Sequence, residues 1–174
     1  CGLNAVAALM ERRPDDALRL FYTETRKVDA GPFASLFARA RRPYRLVEPD
    51  ALETIAATAH HGGIAVVAKP RAVPIWRFDA PHPPGPVLLV LDGIGNPHNL
   101  GAIVRSAAFF GVRALLLGEG AGNAMPSNAA YRVAEGGFEY LDLYRSRDLP
   151  AALAAMMPHR RTVAATLAAD AVPV

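Results

Sequence analysis

The sequence predicts an α/β protein built in two units, and three observations carry that prediction. Strand-type apolar runs alternate with helical patterns along nearly the whole chain. Six prolines (Pro70, Pro74, Pro81, Pro83, Pro84 and Pro86) crowd into residues 70–86 and divide the alternation into two blocks. In the second block, residues 88–110 (LLVLDGIGNPHNLGAIVRSAAFF) pass from an apolar strand through a Gly/Asn/Pro turn directly into a helix. That is the layout in which open α/β sheets bind ligands.

The first block opens with a helix over residues 4–13, whose apolar face is Val6, Met10 and the alanines, stopped by Pro14. Ala17–Tyr22 reads as a strand. Phe33, Leu36, Phe37 and Ala40 recur at three- and four-residue spacing, which predicts a helix over 32–40. A short strand over 44–47 follows Pro43. Asp50 is placed to N-cap a helix running to Ala59, with Glu53 three residues on to complete a capping box. The His60, His61, Gly62, Gly63 run ends that helix, glycine tolerating the left-handed conformation such an end requires. Ile64–Ala68 closes the block as an apolar strand. Adjacent histidines with no acidic or cysteine partner nearby read as a helix terminus, and no metal site is expected.

The proline-rich segment 70–86 cannot hold a regular helix or a central strand, so it reads as a semi-rigid linker between residues 1–69 and 87–174. Beyond it, 87–91 is a buried-type strand, 99–110 a helix ended by Gly111, and 114–117 a strand. Residues 127–134 are helical, 140–144 strand-like, 149–157 a helix with Asp148 as N-cap, and 162–167 a last strand. Repeated β-α units imply a parallel sheet with right-handed crossovers.

Composition sets the bounds. At 52% hydrophobic and 20% charged residues the chain has the make-up of a soluble globular protein. Charged residues, Gly or Pro interrupt every apolar run before it reaches membrane-spanning length, and no signal-peptide layout is present, so a cytoplasmic location is expected. Cys1 is the single cysteine, which excludes an intramolecular disulfide and a cysteine-built zinc site. Residues 1–85 carry twelve Lys/Arg against nine Asp/Glu, whereas residues 86–174 carry seven of each. The whole excess of +3 lies in the first block, which favours an anionic partner there. The start at Cys1, and a final strand with no covering helix after it, lead us to expect a segment cut from a longer polypeptide.

Two nucleotide-binding fingerprints fail on their residues. A Rossmann loop needs G-x-G-x-x-G; Gly93 and Gly95 supply two glycines, but His98 holds the third position. A P-loop needs Gly-Lys-Ser/Thr, and no lysine follows Lys69. On a helical projection Leu100, Ile103, Val104, Ala107 and Phe110 fall within an arc of about 120°, which should face the sheet. Arg105 lies about 160° from its centre, beside Gly101, Ala102, Ala108 and Phe109, a strip of mostly small residues that lets another backbone come close. Asn99 is expected at the N-cap. The helix start and the forked guanidinium of Arg105 suit an anion; an ordinary surface arginine on a capped helix is the competing reading.

The segment Asn96-Pro97-His98-Asn99-Leu100-Gly101-Ala102-Ile103-Val104-Arg105-Ser106-Ala107 resembles the first signature motif of the SpoU/TrmH family of RNA methyltransferases. Residues 1–69, from Gly2-Leu3-Asn4-Ala5-Val6 to His61-Gly62-Gly63-Ile64-Ala65, resemble the substrate-binding domain that precedes the catalytic domain in many members. Tyr131-Arg132-Val133-Ala134-Glu135-Gly136-Gly137 resembles the family's stretch after its second strand. The resemblance implies a small substrate-binding α/β domain followed by a partial parallel-sheet SPOUT (α/β knot) domain. It implies transfer of a methyl group from S-adenosylmethionine to a ribose 2′-hydroxyl of tRNA or rRNA.

On the same resemblance Arg105 and Asn99 serve the reacting ribose, and Thr166 and Leu167 begin the cofactor pocket. A guanidinium pKa above about 12 makes a general-base role costly, so gripping phosphate and orienting the hydroxyl is the role expected of Arg105. Arg39, Arg41, Arg42 and Arg45 suit RNA phosphates, with a solvated helix end as the alternative. Trp76 and Phe78 can stack on RNA bases or, as linker aromatics usually do, pack back onto a domain. The family's second and third motifs, which tie the knot, hold the cofactor and form the homodimer, are expected beyond Val174. The segment alone is therefore expected to bind cofactor poorly and to be inactive. A non-catalytic RNA-binding protein on the same fold is the alternative function.

Overall fold

The computed structural model describes residues 1–77 and 81–165. Its elements alternate as α1 (Leu3–Arg12), β1 (Ala17–Tyr22), α2 (Lys27–Arg39), β2 (Tyr44–Leu46), α3 (Pro49–Ala56) and β3 (Ile64–Ala68). The second block holds β4 (Leu88–Leu91), α4 (Pro97–Phe109), β5 (Ala114–Gly118), α5 (Asn128–Ala134), β6 (Asp142–Ser146) and α6 (Leu149–Met156). A short 3-10 turn, Gly137–Tyr140, precedes β6.

Two three-stranded sheets result. In the first, β1 is central, parallel to β2 and antiparallel to β3. Val6 and Leu9 of α1 and Ala30 and Phe37 of α2 are buried with Leu20 and Ile64, which forms the core of this unit. The second sheet, ordered β4-β5-β6, is wholly parallel, as successive β-α crossovers dictate. Every residue of its central strand is buried. Leu115 and Leu117 join Leu100, Val104 and Phe138 on one side, whereas Leu116 packs with Leu149, Ala152, Met156 and Trp76 on the other. The unbroken run Ala-Leu-Leu-Leu is what a strand covered on both faces requires.

Trp76 thus packs back onto the second unit, the behaviour expected of a linker aromatic; Phe78 lies outside the described residues. The segment before it runs beside β6: Trp76 donates its backbone N–H to Arg145 and Arg145 donates to Pro74, so this stretch takes an edge position, where proline is tolerated.

Several boundaries differ from the expectations above, each for a local reason. Helix α2 begins at Lys27 and runs through Pro32, which was expected to open it. The cap of α3 is Glu48, not Asp50; Pro49 takes the first helical position, where its missing N–H costs nothing, and the capping box does not form. The left-handed residue ending α3 is Ala57, so the helix stops before the histidine–glycine run. Asn96, not Asn99, caps α4, its side chain accepting from the His98 N–H, with Pro97 again first in the helix. The strand expected at 140–144 is displaced to Asp142–Ser146 because Gly137–Tyr140 forms the 3-10 turn. Residues 162–165 form no strand, and 166–167 lie outside the described residues. Asp148 does cap α6, accepting from the Ala151 N–H at 2.9 Å.

Candidate functional site

Helix α4 carries the candidate site, and two neighbours fix its rotation. Leu100, Val104 and Ala107 are buried as the helical projection requires, but Phe110 is 79% exposed and Gly101 is buried instead. The buried face is turned toward Gly101 because α5 as well as the sheet packs on α4. A Cβ at Gly101 would stand 2.5 Å from the Ala130 carbonyl oxygen, so the small-residue strip admits the α5 backbone.

Arg105 points away from the sheet, and its Nη1 donates to Glu135 Oε1 at 3.0 Å. The other oxygen of Glu135 accepts from Asn4 Nδ2 at 3.1 Å, which brings α1 of the first unit to the arginine. Asn4, Arg105, Phe109, Glu135, Gly137 and Tyr140 line an open cleft of about 300 Å³. The Tyr140 hydroxyl donates to Glu11 at 2.9 Å; that bond first, then burial, pushes its pKa above the ordinary phenol value. The cleft therefore offers one guanidinium, one carboxylate, an amide, a phenol and a phenyl face.

Below the cleft a charged cluster joins the two units. Glu139, 8% exposed, accepts from Arg13 Nε at 2.6 Å and from Nη2 at 3.0 Å, and Arg71 Nη1 lies 3.5 Å from it. Arg71 also donates to the carbonyls of Phe138 and Leu141. The hydrogen bond from Arg13 to Glu139 raises the arginine's pKa, more than offsetting its own desolvation.

The other expected residues are dispersed. Asn99 is exposed in the first turn of α4 and does not line the cleft. Six residues separate it from Arg105, about 9 Å along the axis and 120° around it. Arg39, Arg41 and Arg45 are exposed at the end of α2 and on β2, the edge strand of the first sheet. Arg42 differs: it donates to the carbonyls of Pro14 and Ala17 and pairs with Asp15, stitching the end of α2 to the entry of β1. Thr166 and Leu167 lie outside the described residues.

At the carboxyl ends of β4 and β5 the two following loops close on each other. The Gly93 N–H donates to Asn123 Oδ1 at 2.8 Å, and Ala124 donates to the Ile94 carbonyl at 2.7 Å. A Cβ at Gly95 would come within 3.0 Å of the Gly122 carbonyl. The near-Rossmann glycines thus serve loop-on-loop packing. Among the described residues no His/Cys/Asp/Glu group is arranged to hold a metal, and no helix is long and apolar enough to cross a membrane.

Sequence reasoning gave no role to Glu135, Asn4, Tyr140 or Glu139. One signal was present: Glu135 is an acid at the C-terminal end of a helix, where the dipole favours cations, so a cationic partner had to be sought.

A β-α-β-α parallel sheet beside a small mixed α/β unit defines the class of protein, and the same arrangement occurs in a solved structure. The SpoU methyltransferase AviRb from Streptomyces viridochromogenes, determined in complex with the cofactor AdoMet, superposes with a TM-score of 0.64 at 19% identity, covering 90% of this chain and 56% of that one. The SpoU rRNA Methylase family matches residues 86–174 and the RNA 2′-O ribose methyltransferase substrate binding family residues 1–74; the chain belongs to the SpoU family of RNA methyltransferases. An uncharacterized tRNA/rRNA methyltransferase of Haemophilus influenzae is 35% identical over 156 residues, which is 87% of this chain and 43% of that protein. The 23S rRNA (guanosine-2′-O-)-methyltransferase RlmB of Yersinia pestis is 30% identical over 173 residues, 95% of this chain and 68% of its own length. The chain thus spans less than half of the first of these relatives.

Proposed function

We propose that the protein containing this chain transfers a methyl group to a ribose 2′-hydroxyl of a tRNA or rRNA, with S-adenosylmethionine as donor. Residues 1–69 are the RNA-holding unit, 70–86 the connection, and 87–174 the first part of the methyl-transfer unit. The observation that carries the reading is Arg105 in the lining of a cleft that Asn4 of the first unit also lines, on a helix whose sequence resembles the family's first motif. Its guanidinium is always charged and forked, which suits gripping a phosphate and holding the adjacent 2′-hydroxyl in line. Bound donor supplies an electrophilic methyl; this chain's own contribution is alignment of the acceptor, which can lower a barrier by several kcal/mol.

Asn99, on the exposed first turn of the same helix, contacts the same nucleotide or its neighbour in this reading. Arg39, Arg41 and Arg45 take RNA phosphates on the first unit; Arg42 reaches one only by giving up its carbonyl partners. Thr166 and Leu167 serve the donor in this reading, and the whole enzyme is a cytoplasmic homodimer.

The test joins this chain to the rest of its catalytic domain. Arg105→Ala should abolish methyl transfer and leave S-adenosylmethionine binding, measured by calorimetry, within about threefold, because Arg105 acts on the acceptor. Undiminished transfer by that variant removes the role given to Arg105. RNA binding without any transfer by the unsubstituted protein favours a non-catalytic RNA binder.

A further inference from the structure

Glu135, Gly136 and Gly137 stand where three elements meet. A Cβ at Gly136 would lie 2.7 Å from Ala8 Cβ and 3.0 Å from the Asn4 carbonyl, so this glycine lets α1 come close. A Cβ at Gly137 would lie 3.1 Å from Arg105 Cα, so its neighbour does the same for α4. Glu135 precedes both, left-handed at φ 45° and acidic at the C-terminal end of α5. Each feature is locally unfavourable, the first because of its Cβ and the second because of the helix dipole. Its carboxylate holds Arg105 with one oxygen and Asn4 with the other. The Arg105–Glu135 pair is 59% and 42% exposed, so it adds little to stability. The contacts leave two uses for an acid in this place, orientation of the arginine and the tie to Asn4.

We propose that Glu135 is a positioning residue that holds the Arg105 guanidinium at the cleft, and that Asn4 ties this carboxylate to α1, linking the RNA-holding unit to the ribose-facing arginine. The inference rests on the role given to Arg105 above. The ion pair engages Nη1, and the other two guanidinium nitrogens have no carboxylate partner among the described residues. An arginine already ordered by one fixed carboxylate has less rotamer freedom to lose when the nucleotide arrives. Removing Glu135 also removes a negative charge beside the RNA path. RNA affinity should therefore hold or rise while turnover falls, a divergence that a merely structural role would not produce.

The experiment measures methyl transfer to an rRNA fragment by the chain joined to the rest of its catalytic domain. Glu135→Gln should lower kcat about ten- to hundredfold with KM for RNA unchanged or lower, and Glu135→Asp should recover part of the loss. Asn4→Ala should lower kcat less, and adding it to Glu135→Gln should cause no further fall. Independently of activity, the Arg105 Nε–Hε resonance of this chain, assigned with Arg105→Lys, should exchange faster in Glu135→Gln while the backbone spectrum stays dispersed. A kcat within twofold of the unsubstituted protein for Glu135→Gln, with Arg105→Ala inactive, overturns the positioning role and leaves Arg105 standing. An active Arg105→Ala overturns both. Additive losses from Asn4→Ala and Glu135→Gln overturn the tie to α1.

Discussion

At the scale of single residues, Gly101 and Arg105 show opposite relations between stability and function. Alanine for glycine within a helix usually adds up to about 1 kcal/mol of stability. At Gly101 a Cβ would meet the backbone oxygen of Ala130 at 2.5 Å, an atom that cannot rotate away. Gly101→Ala should therefore destabilise by about 1–3 kcal/mol, read as a lower thermal midpoint. A raised midpoint would show that α5 moves freely off α4. Arg105→Ala should change stability by less than about 1 kcal/mol, because its only ion pair among the described residues is open to solvent. Arg105 was singled out in the sequence by the segment that resembles the family's first motif, since its place opposite an apolar arc suited an ordinary surface arginine equally well. Its partner was not: Glu135 lies thirty residues away, and only the tertiary fold puts the two at 3.0 Å.

Among the elements, those with strong periodicity or a continuous apolar run were readable, and their ends were less so. Strands β1 and β3 fall where the apolar runs predicted, and Asp148 caps α6 as expected. Asp50 and Asn99 have side chains that suit a cap, yet a proline one residue before Asp50 and two residues before Asn99 sets the first turn. Proline at the first helical position fixes φ and needs no donor, so it outweighs a capping side chain further along. The rotation of α4 departs from its single-sheet projection at Phe110 because α5 contributes a second buried direction. Strand β5 is the element on which the second unit depends. Leu116→Ala should cost about 2–5 kcal/mol, as it opens a cavity against α6 and Trp76. A urea midpoint unchanged by that substitution would mean that α6 does not close the sheet.

For the whole molecule, the two units are joined by charge and by close backbone packing. Glu139, with a side chain 4% exposed, holds Arg13 of the first unit and lies beside Arg71 of the connecting segment. Removing it leaves Arg13, itself only 18% exposed, with Asp16 at 2.8 Å as its remaining carboxylate. Glu139→Ala should therefore destabilise by on the order of 3 kcal/mol. Adding Arg13→Met should return part of that loss, as urea unfolding of the pair would reveal; no recovery would show that the units do not depend on this contact. The strands of the two sheets were foreshadowed by the strand–helix alternation, but this joint was not legible, because nothing in Arg13 or Glu139 alone names the other. The cleft depends on this joint, since Gly136 admits α1 closely enough for Asn4 to reach Glu135, and Glu139 holds Arg13 just after the same helix. The most direct test of the central claim is the chemical location of the methyl group. RNA treated with the chain joined to the rest of its catalytic domain should yield a nucleoside carrying the methyl on its ribose 2′-oxygen by mass spectrometry, and none with Arg105→Ala. A methyl group on a base, or ribose methylation that survives Arg105→Ala, would contradict the account.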